Sequence, residues 1–383
     1  MIGVIADDLT GAAEIGAIGW RHGLRAEIIR DGKPSGAADL VCVDTDSRSC
    51  VPIVAAERAA AAAKMLHAGG ARLIYKKVDS ALRGNVTPEV EAILKQLGLN
   101  RALLLPVNPS LGRTIVDGEY FIHGKPIHLT EFANDPEHPR SSPEVLKLLD
   151  TPSHFTLRLS GDERTVPENT LLVAQADSSE QVESWAAACD ASCLPIGGSE
   201  FFGALLGSES HSPPTEPIDF SLGRQLFICG TASGSVQALV EASREAQVPV
   251  FGLPDELATG AEFSNESCDF ISQQITDAFE THRRVVLHVG LPVVRDATAS
   301  RRLADHLVDI AEQVLQSVPV TSVFAEGGAT AAELVRRMNW PRLDVRYEWA
   351  PGVATLAIAD KDTQWLTIKP GSYSWPDEWM RGW

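Results

Sequence analysis

The sequence predicts an α/β protein of two domains, each a mainly parallel sheet flanked by helices. Three observations carry that expectation. The chain has 383 residues, beyond the roughly 250–300 at which one hydrophobic core stops growing. Short apolar runs alternate with helix-period segments, the pattern of βαβ units. The polar, proline-rich stretch Gly207 to Ser221 interrupts that rhythm and reads as a linker. The expected domains are therefore residues 1–206 and 222–383, with 207–221 between them.

Ile2 to Ala6 is a continuous apolar run, and Ala12 to Trp20 has the period of a helix. Leu40 to Val43 is a second buried strand. Ile53 to His67 is alanine-rich and helical, closed by Gly69-Gly70. Leu73 to Val78 is a third strand. Thr87 as N-cap and Pro88 at the first helical position start a helix that runs to Gly98. Ala102 to Val107 is the next strand. Residues 113 to 132 break the alternation, with turn signals at Asp117-Gly118 and His123-Gly124, and read as a hairpin insertion. After the linker, strands are expected at Gln225–Cys229, Val248–Leu253, Val285–Val289 and Val320–Phe324. Two more follow near Val345–Trp349 and Gln364–Ile368.

Composition is that of an ordinary globular protein, 44% hydrophobic and 22% charged. The net charge of −18 repels nucleic acid and anionic membranes, so neither is an expected partner. A local basic cluster can still attract an anionic small molecule at short range. No apolar run reaches the roughly 18 residues of a bilayer span, and the first residues read as a strand rather than a signal peptide. A cytoplasmic location is expected. The six cysteines are sparse and mostly in apolar stretches, as expected of reduced thiols. Cys189 and Cys193 share an expected helix face, yet no second pair or histidine completes a zinc set. A homo-oligomer stays open, since no local pattern encodes that state.

Ligands of open parallel sheets bind outside the carboxyl ends of the strands. Asp7 and Asp8 end the first strand; Asp44, Thr45 and Asp46 follow the second. Lys76, Lys77 and Asp79 lie at the end of the third, and Asn108 follows the fourth. Each residue type is also ordinary loop chemistry, but four consecutive strand ends place acids, bases and amides on one edge. A carboxylate there can accept a proton from a hydroxyl or help hold Mg²⁺. Arg83, with Lys76 or Lys77, can neutralise a substrate carboxylate.

The second half has three glycine-containing junctions after strands: Gly230-Thr231-Ala232-Ser233-Gly234, Gly327-Gly328-Ala329-Thr330 and Lys369-Pro370-Gly371-Ser372. Glycine lets backbone N–H groups approach phosphate oxygens, and a helix N-terminus adds a favourable dipole. No Walker A or dinucleotide glycine pattern is present.

Four motifs, in this order and spacing, resemble the four-carbon acid sugar kinase family, formerly a domain of unknown function. They are Ala6-Asp7-Asp8-Leu9-Thr10-Gly11-Ala12, the run Lys76 to Asn85, Gly112 to Gly118, and Thr130 to Pro136. The resemblance covers nearly the whole chain. It implies ATP-dependent phosphorylation of threonate, erythronate or 3-oxo-tetronate in carbohydrate metabolism, with the active site in the cleft between domains. It implies a sugar site of Asp8, Lys77, Asp79, Arg83 and Gly84, with Asp8, Asp7 and Arg83 nearest the chemistry. Thr231, Ser233, Gly327, Gly328, Ala329, Thr330 and Gly371 would carry ATP, with Mg²⁺ aiding in-line transfer.

The sequence departs from the family pattern at three places in the second half. Ala329 stands where the family has an acid, Ser372-Tyr373-Ser374 replaces Gly/Asn-Phe-Gly, and Thr231 replaces a serine. These departures imply a nucleotide held somewhat differently, or a member that binds without efficient transfer. A phosphoacceptor receiver domain also places paired acids after its first strand, but it leaves Arg83-Gly84 and the hairpin unexplained.

Overall fold

The computed structural model describes all residues except 136, 162–163, 208–222, 232, 255–256, 258–262, 291–296, 360, 362–363, 372, 374 and 376–383, and the side chains of 297–300. Apart from Gly207, the expected linker lies outside the described residues. The chain divides into two units, Met1–Pro214 and Thr215–Trp383.

In the first unit, β1 (Ile2–Ala6) is central, flanked by β3 (Leu40–Asp44) and β4 (Leu73–Lys77), and β2 (Ala26–Ile29) lies outside β3. β11 (Leu194–Gly197), β5 (Arg101–Leu105), β10 (Thr170–Val173) and β9 (Thr156–Leu159) continue the sheet beyond β4. Every pairing in this unit's large sheet is parallel. Parallel strands need covering on both faces. Helices α1 (Leu9–Arg21), α2 (Pro52–Ala68), α3 (Val86–Leu97), α4 (Ser179–Ala188) and α5 (Ser199–Leu206) supply this cover. The buried aromatic body of Tyr75 packs on Phe202, and its hydroxyl donates to the Gly198 carbonyl at 2.7 Å.

The expected insertion is a three-stranded antiparallel sheet of β6 (Arg113–Val116), β7 (Glu119–Ile122) and β8 (Lys125–Pro126). Asp117 and Gly118 both have positive φ, at 49° and 78°, as a two-residue hairpin turn requires.

The second unit repeats the arrangement. β12 (Gln225–Cys229) is central, with β14 (Arg284–His288) and β13 (Val250–Gly252) on one side and β15 (Ser322–Glu326) and β18 (Trp365–Lys369) on the other. β17 (Val353–Ile358) and β16 (Arg342–Ala350) add antiparallel strands beyond β18. The helices are α6 (Gly234–Glu245), α7 (Asn265–Thr281), α8 (Ala297–Ser317) and α9 (Gly328–Arg337). Phe227 stacks on Phe324 at 4.3 Å between centroids, and Trp375 meets both rings edge-on. In each unit the chain leaves its central strand, fills one side, then crosses to the other. β1 and β12 therefore both sit at a switch point, where ligands of such sheets bind.

Local expectations differ from the structure in several places: among them, β15 runs Ser322–Glu326 rather than Val320–Phe324. Helix α1 starts at Leu9 rather than Ala12, because the Asp8 carboxylate caps it from Gly11 N at 2.8 Å. Helix α3 starts at Val86, and Thr87 does not cap it: its hydroxyl donates instead to the Asp150 carbonyl at 2.9 Å. Cys189 and Cys193 do not share a helix face, since α4 ends at Ala188. All six cysteines are free, and Cys42, Cys193, Cys229 and Cys268 are buried. Among the described residues, no helix is long and apolar enough to cross a membrane.

Candidate active site

Asp7 and Asp8, at the end of β1, share one cation that the sequence reading missed. Arg48 lies on the loop after β3, whose Ser47 and Arg48 amides both donate to the Asp7 carbonyl. Its guanidinium grips Asp7 with two nitrogens, each at 2.9 Å, and reaches Asp8 Oδ2 with the third at 2.7 Å. The planar fork of arginine suits such bidentate binding. Adjacent residues on an extended strand point apart, so a single group bridging both must come from outside the strand.

The two carboxyls are driven in opposite directions. Burial raises each. For Asp7, the charges of Arg48 and Lys76 overcome burial and hold the group below its ordinary value. For Asp8, burial prevails over Arg48, and the neighbouring charge of Asp7 raises it further. Paired acids with divergent environments divide the labour of acid–base chemistry. Asp7 is held down under Arg48, while Asp8 is raised and is the more exposed of the two.

The motif after β4 completes this edge. Asp79 receives the Arg83 fork at 2.8 and 2.9 Å, and its carboxylate lies 3.9 Å from Arg48. Burial would raise Asp79, but Arg83 and Arg48 hold it well below the usual carboxylate range. Arg83 also reaches Asp135 at 2.9 Å and lies over the Phe132 ring. Gly84 has φ of +87°, and a Cβ there would stand 3.3 Å from the Arg48 backbone, so the turn needs glycine. Asn85 donates to the carbonyls of Ser47 and Cys50. The Arg83-Gly84-Asn85 run thus holds the Arg48 loop as well as lining the edge.

Other strand-end residues have settled partners. Lys76, read as one candidate for the substrate carboxylate, is enclosed and paired with Glu89 at 2.5 Å, so it serves the core. Lys77 is buried 3.1 Å from Glu14 and donates to the Val78 carbonyl. Asn108 accepts from Ser199 Oγ and Glu200 N, fastening the start of α5. Asp44 accepts from Asp46 N at 2.9 Å, but its Oδ2 is buried without a partner, and burial pushes its carboxyl up to about 7.

In the second unit, parallel register aligns Cys229, Glu326 and Lys369 across β12, β15 and β18. The three glycine junctions therefore leave adjacent strands at one edge. Glu326, which the sequence reading passed over, gathers them. Its Oε1 accepts from Thr231 Oγ1 at 2.7 Å and Ser233 Oγ at 2.9 Å. Its Oε2 accepts from Trp375 Nε1 at 2.9 Å and lies 3.3 Å from Lys369 Nζ. Both charges are fully buried; burial lowers Lys369, with Glu326 opposing. Ser233 also caps α6, accepting from Val236 N. A Cβ on Gly371 would lie 2.7 Å from Thr231 Cγ2, so that approach needs glycine. Gly327 precedes α9, Gly328 and exposed Ala329 open it, and Thr330 is buried beneath. Ala232, Ser372 and Ser374 lie outside the described residues.

Two α/β units, one edged with acids and arginines and the other with converging glycine loops, define a bipartite enzyme that handles small anionic molecules. Residues 2–193 match a family described as a sugar-binding N-terminal domain, and residues 226–373 match one described as a nucleotide-binding C-terminal domain. The chain belongs to the four-carbon acid sugar kinase family. It is 29% identical to a D-threonate kinase of Cupriavidus necator, covering 97% of this chain and 94% of that one. It is 25% identical to a D-erythronate kinase of Heliobacterium modesticaldum, covering 91% and 88%. A crystal structure from Haemophilus influenzae shares the fold, with a TM-score of 0.72 at 22% identity over 100% of this chain and 99% of that one.

Proposed function

We propose that this protein transfers the terminal phosphoryl group of ATP to a hydroxyl of a four-carbon acid sugar of the threonate, erythronate or 3-oxo-tetronate type. The observation that carries the reading is the Asp7–Asp8 pair, split by environment under Arg48, in the unit that matches a sugar-binding domain. Residues 1–206 take the sugar and 222–383 the nucleotide, joined by 207–221. Asp8 accepts the proton of the attacking hydroxyl as its oxygen bonds to the γ-phosphorus and ADP leaves. Asp7 and Arg48 fix the direction of Asp8, while Lys77, Asp79, Arg83 and Gly84 shape the sugar surface. On the nucleotide side, backbone N–H groups of the three glycine junctions and the N-termini of α6 and α9 receive phosphate oxygens. Catalysis rests on positioning and charge neutralisation.

The described residues contain no cluster of three His, Cys, Asp or Glu suited to a metal. Mg²⁺ nevertheless fits, because it commonly binds through one or two carboxylates plus substrate phosphates. Asp8 would supply such a carboxylate, and the ion would neutralise charge on the phosphates.

The test is ADP release with each tetronate, using the wild type and Asp8→Asn. Turnover with at least one acid is expected, with kcat lowered roughly 10²–10⁴-fold in the variant. Folded protein that binds ATP yet turns over no tetronate would sink the kinase reading. The exposed Ala329 favours a second reading, binding without efficient transfer; activity gained by Ala329→Asp would support it.

A further inference from the structure

The hairpin motif that begins at Gly112 has no part in the mechanism so far, yet it places an uncommitted cation beside the acid edge. The other cations there are engaged: Arg48 by Asp7 and Asp8, Lys77 by Glu14, Arg83 by Asp79 and Asp135, and Arg140 by the carbonyls of His138 and Leu148. Among the described residues, the Arg113 guanidinium has no carboxylate or hydrogen-bond partner. Its recorded contact is the Phe132 ring, 5.9 Å from the centroid, and Arg83 lies 5.3 Å from that same ring.

Tyr120 stands next to it. Arg113 pairs with Ile122 across the hairpin, and Ile115 with Tyr120. Side chains two apart share a face, so Arg113 and Tyr120 form a diagonal pair within reach of one ligand. Tyr120 is fully buried, and its hydroxyl lacks a partner. The charges of Arg113 and Asp79 both act on that hydroxyl, and Asp79 lies 3.9 Å from Arg48. The pair therefore borders the cluster that holds Asp7 and Asp8.

A free guanidinium beside an unused hydroxyl donor suits a carboxylate. An acid sugar binding head-on at Arg48 would have to displace Asp7 or Asp8, whereas one binding at Arg113 displaces no carboxylate. We propose that Arg113 and Tyr120 receive the carboxylate of the acid sugar, so that the hairpin selects acids over neutral sugars. This rests on the acid sugar kinase reading and deepens it by naming the specificity-determining residues.

The experiment compares wild type with Arg113→Ala, Arg113→Lys and Tyr120→Phe, each checked for folding by circular dichroism. Kinetics and calorimetric binding are measured for each tetronate and for its uncharged primary amide. Arg113→Ala is expected to raise KM and Kd for the acid by roughly 10- to 100-fold and to reduce the preference for acid over amide by a similar factor. Arg113→Lys should recover part of that preference, and Tyr120→Phe should lose a smaller part. A merely structural arginine would affect acid and amide alike. If the wild type turns over or binds a tetronate and the folded variants keep its acid-to-amide preference, this proposal fails while the kinase reading stands. If the wild type binds tetronates without turnover, the kinase reading fails and the binding preference still decides the role of Arg113. If it neither binds nor turns over any tetronate, both are overturned.

Discussion

Replacing Arg48 by glutamine isolates the central electrostatic argument. Arg48 makes three charge-assisted contacts of 2.7 to 2.9 Å to two carboxylates, and Asp7 beneath it is 5% exposed in its side chain. Removing one partner of a buried ion pair costs about 3–5 kcal/mol, because the other charge is left uncompensated. The loss expected at pH 8 is therefore about 3 kcal/mol or more. It should depend on pH in a defined direction. In the wild type, the depressed Asp7 carboxyl contributes stability that is present above its unfolded pKa and is lost as pH falls through its folded value. In the variant, Lys76 is left as the main charge opposing burial, so the folded pKa rises and the penalty is relieved as pH falls. The wild-type contribution is constant between pH 8 and pH 5, both above the unfolded value, so the relief of the variant's penalty is what narrows the gap between the proteins over that range. Urea unfolding at the two pH values measures it, with Asp7→Asn and the double variant completing a cycle. A gap under about 1 kcal/mol at pH 8, a gap independent of pH, or simple additivity of the two substitutions would refute the reasoning.

Asp44→Asn should stabilise the protein increasingly with pH. With a folded value of about 7 against roughly 3.9 unfolded, ionisation of Asp44 costs stability as pH rises between them, so the variant's advantage should grow by about 2 kcal/mol from pH 5.5 to 8 in urea titrations. Glu326→Gln leaves Lys369 buried without its counter-charge and should destabilise by about 3–5 kcal/mol while raising the KM for ATP. Gly371→Ala forces a methyl toward Thr231 and should cost about 1–3 kcal/mol at that loop. It should raise the KM for ATP but leave calorimetric binding of the acid sugar alone unchanged.

The strand ends were legible because apolar runs stop where buried backbone stops, and the polar residues there stand out. Gln225–Cys229 was read to the residue, and the hairpin turns at Asp117-Gly118 and His123-Gly124 were read from the demand for positive φ. Strand β15 was not. The run from Val320 to Glu326 has no internal mark of register, and only its pairing of Ser322 with Gln225 fixes the strand at Ser322–Glu326. Placing its end at Phe324 moved Glu326 into a loop and hid it. Thr87 shows a local rule outweighed, because a carbonyl 63 residues away took its hydroxyl. Arg48 was beyond local reasoning, since its partners lie 40 and 41 residues off. The need for it was readable all the same: two adjacent acids at a buried strand end require a cation from somewhere.

Glu326 also sets the polarity of the loop above it. A hydroxyl has a single proton to give. Thr231 and Ser233 both spend theirs inward on Glu326, and Ser233 further accepts from Val236 N. What they turn toward a nucleotide is lone pairs. On the proposed function, neither would then hydrogen-bond to an ionised phosphate oxygen, and those oxygens would be met by main-chain N–H groups. The side chains suit the proton-bearing parts of the nucleotide instead, such as ribose hydroxyls, the adenine amino group or metal-bound water. In this loop, a buried glutamate decides that the side chains listen while the backbone speaks.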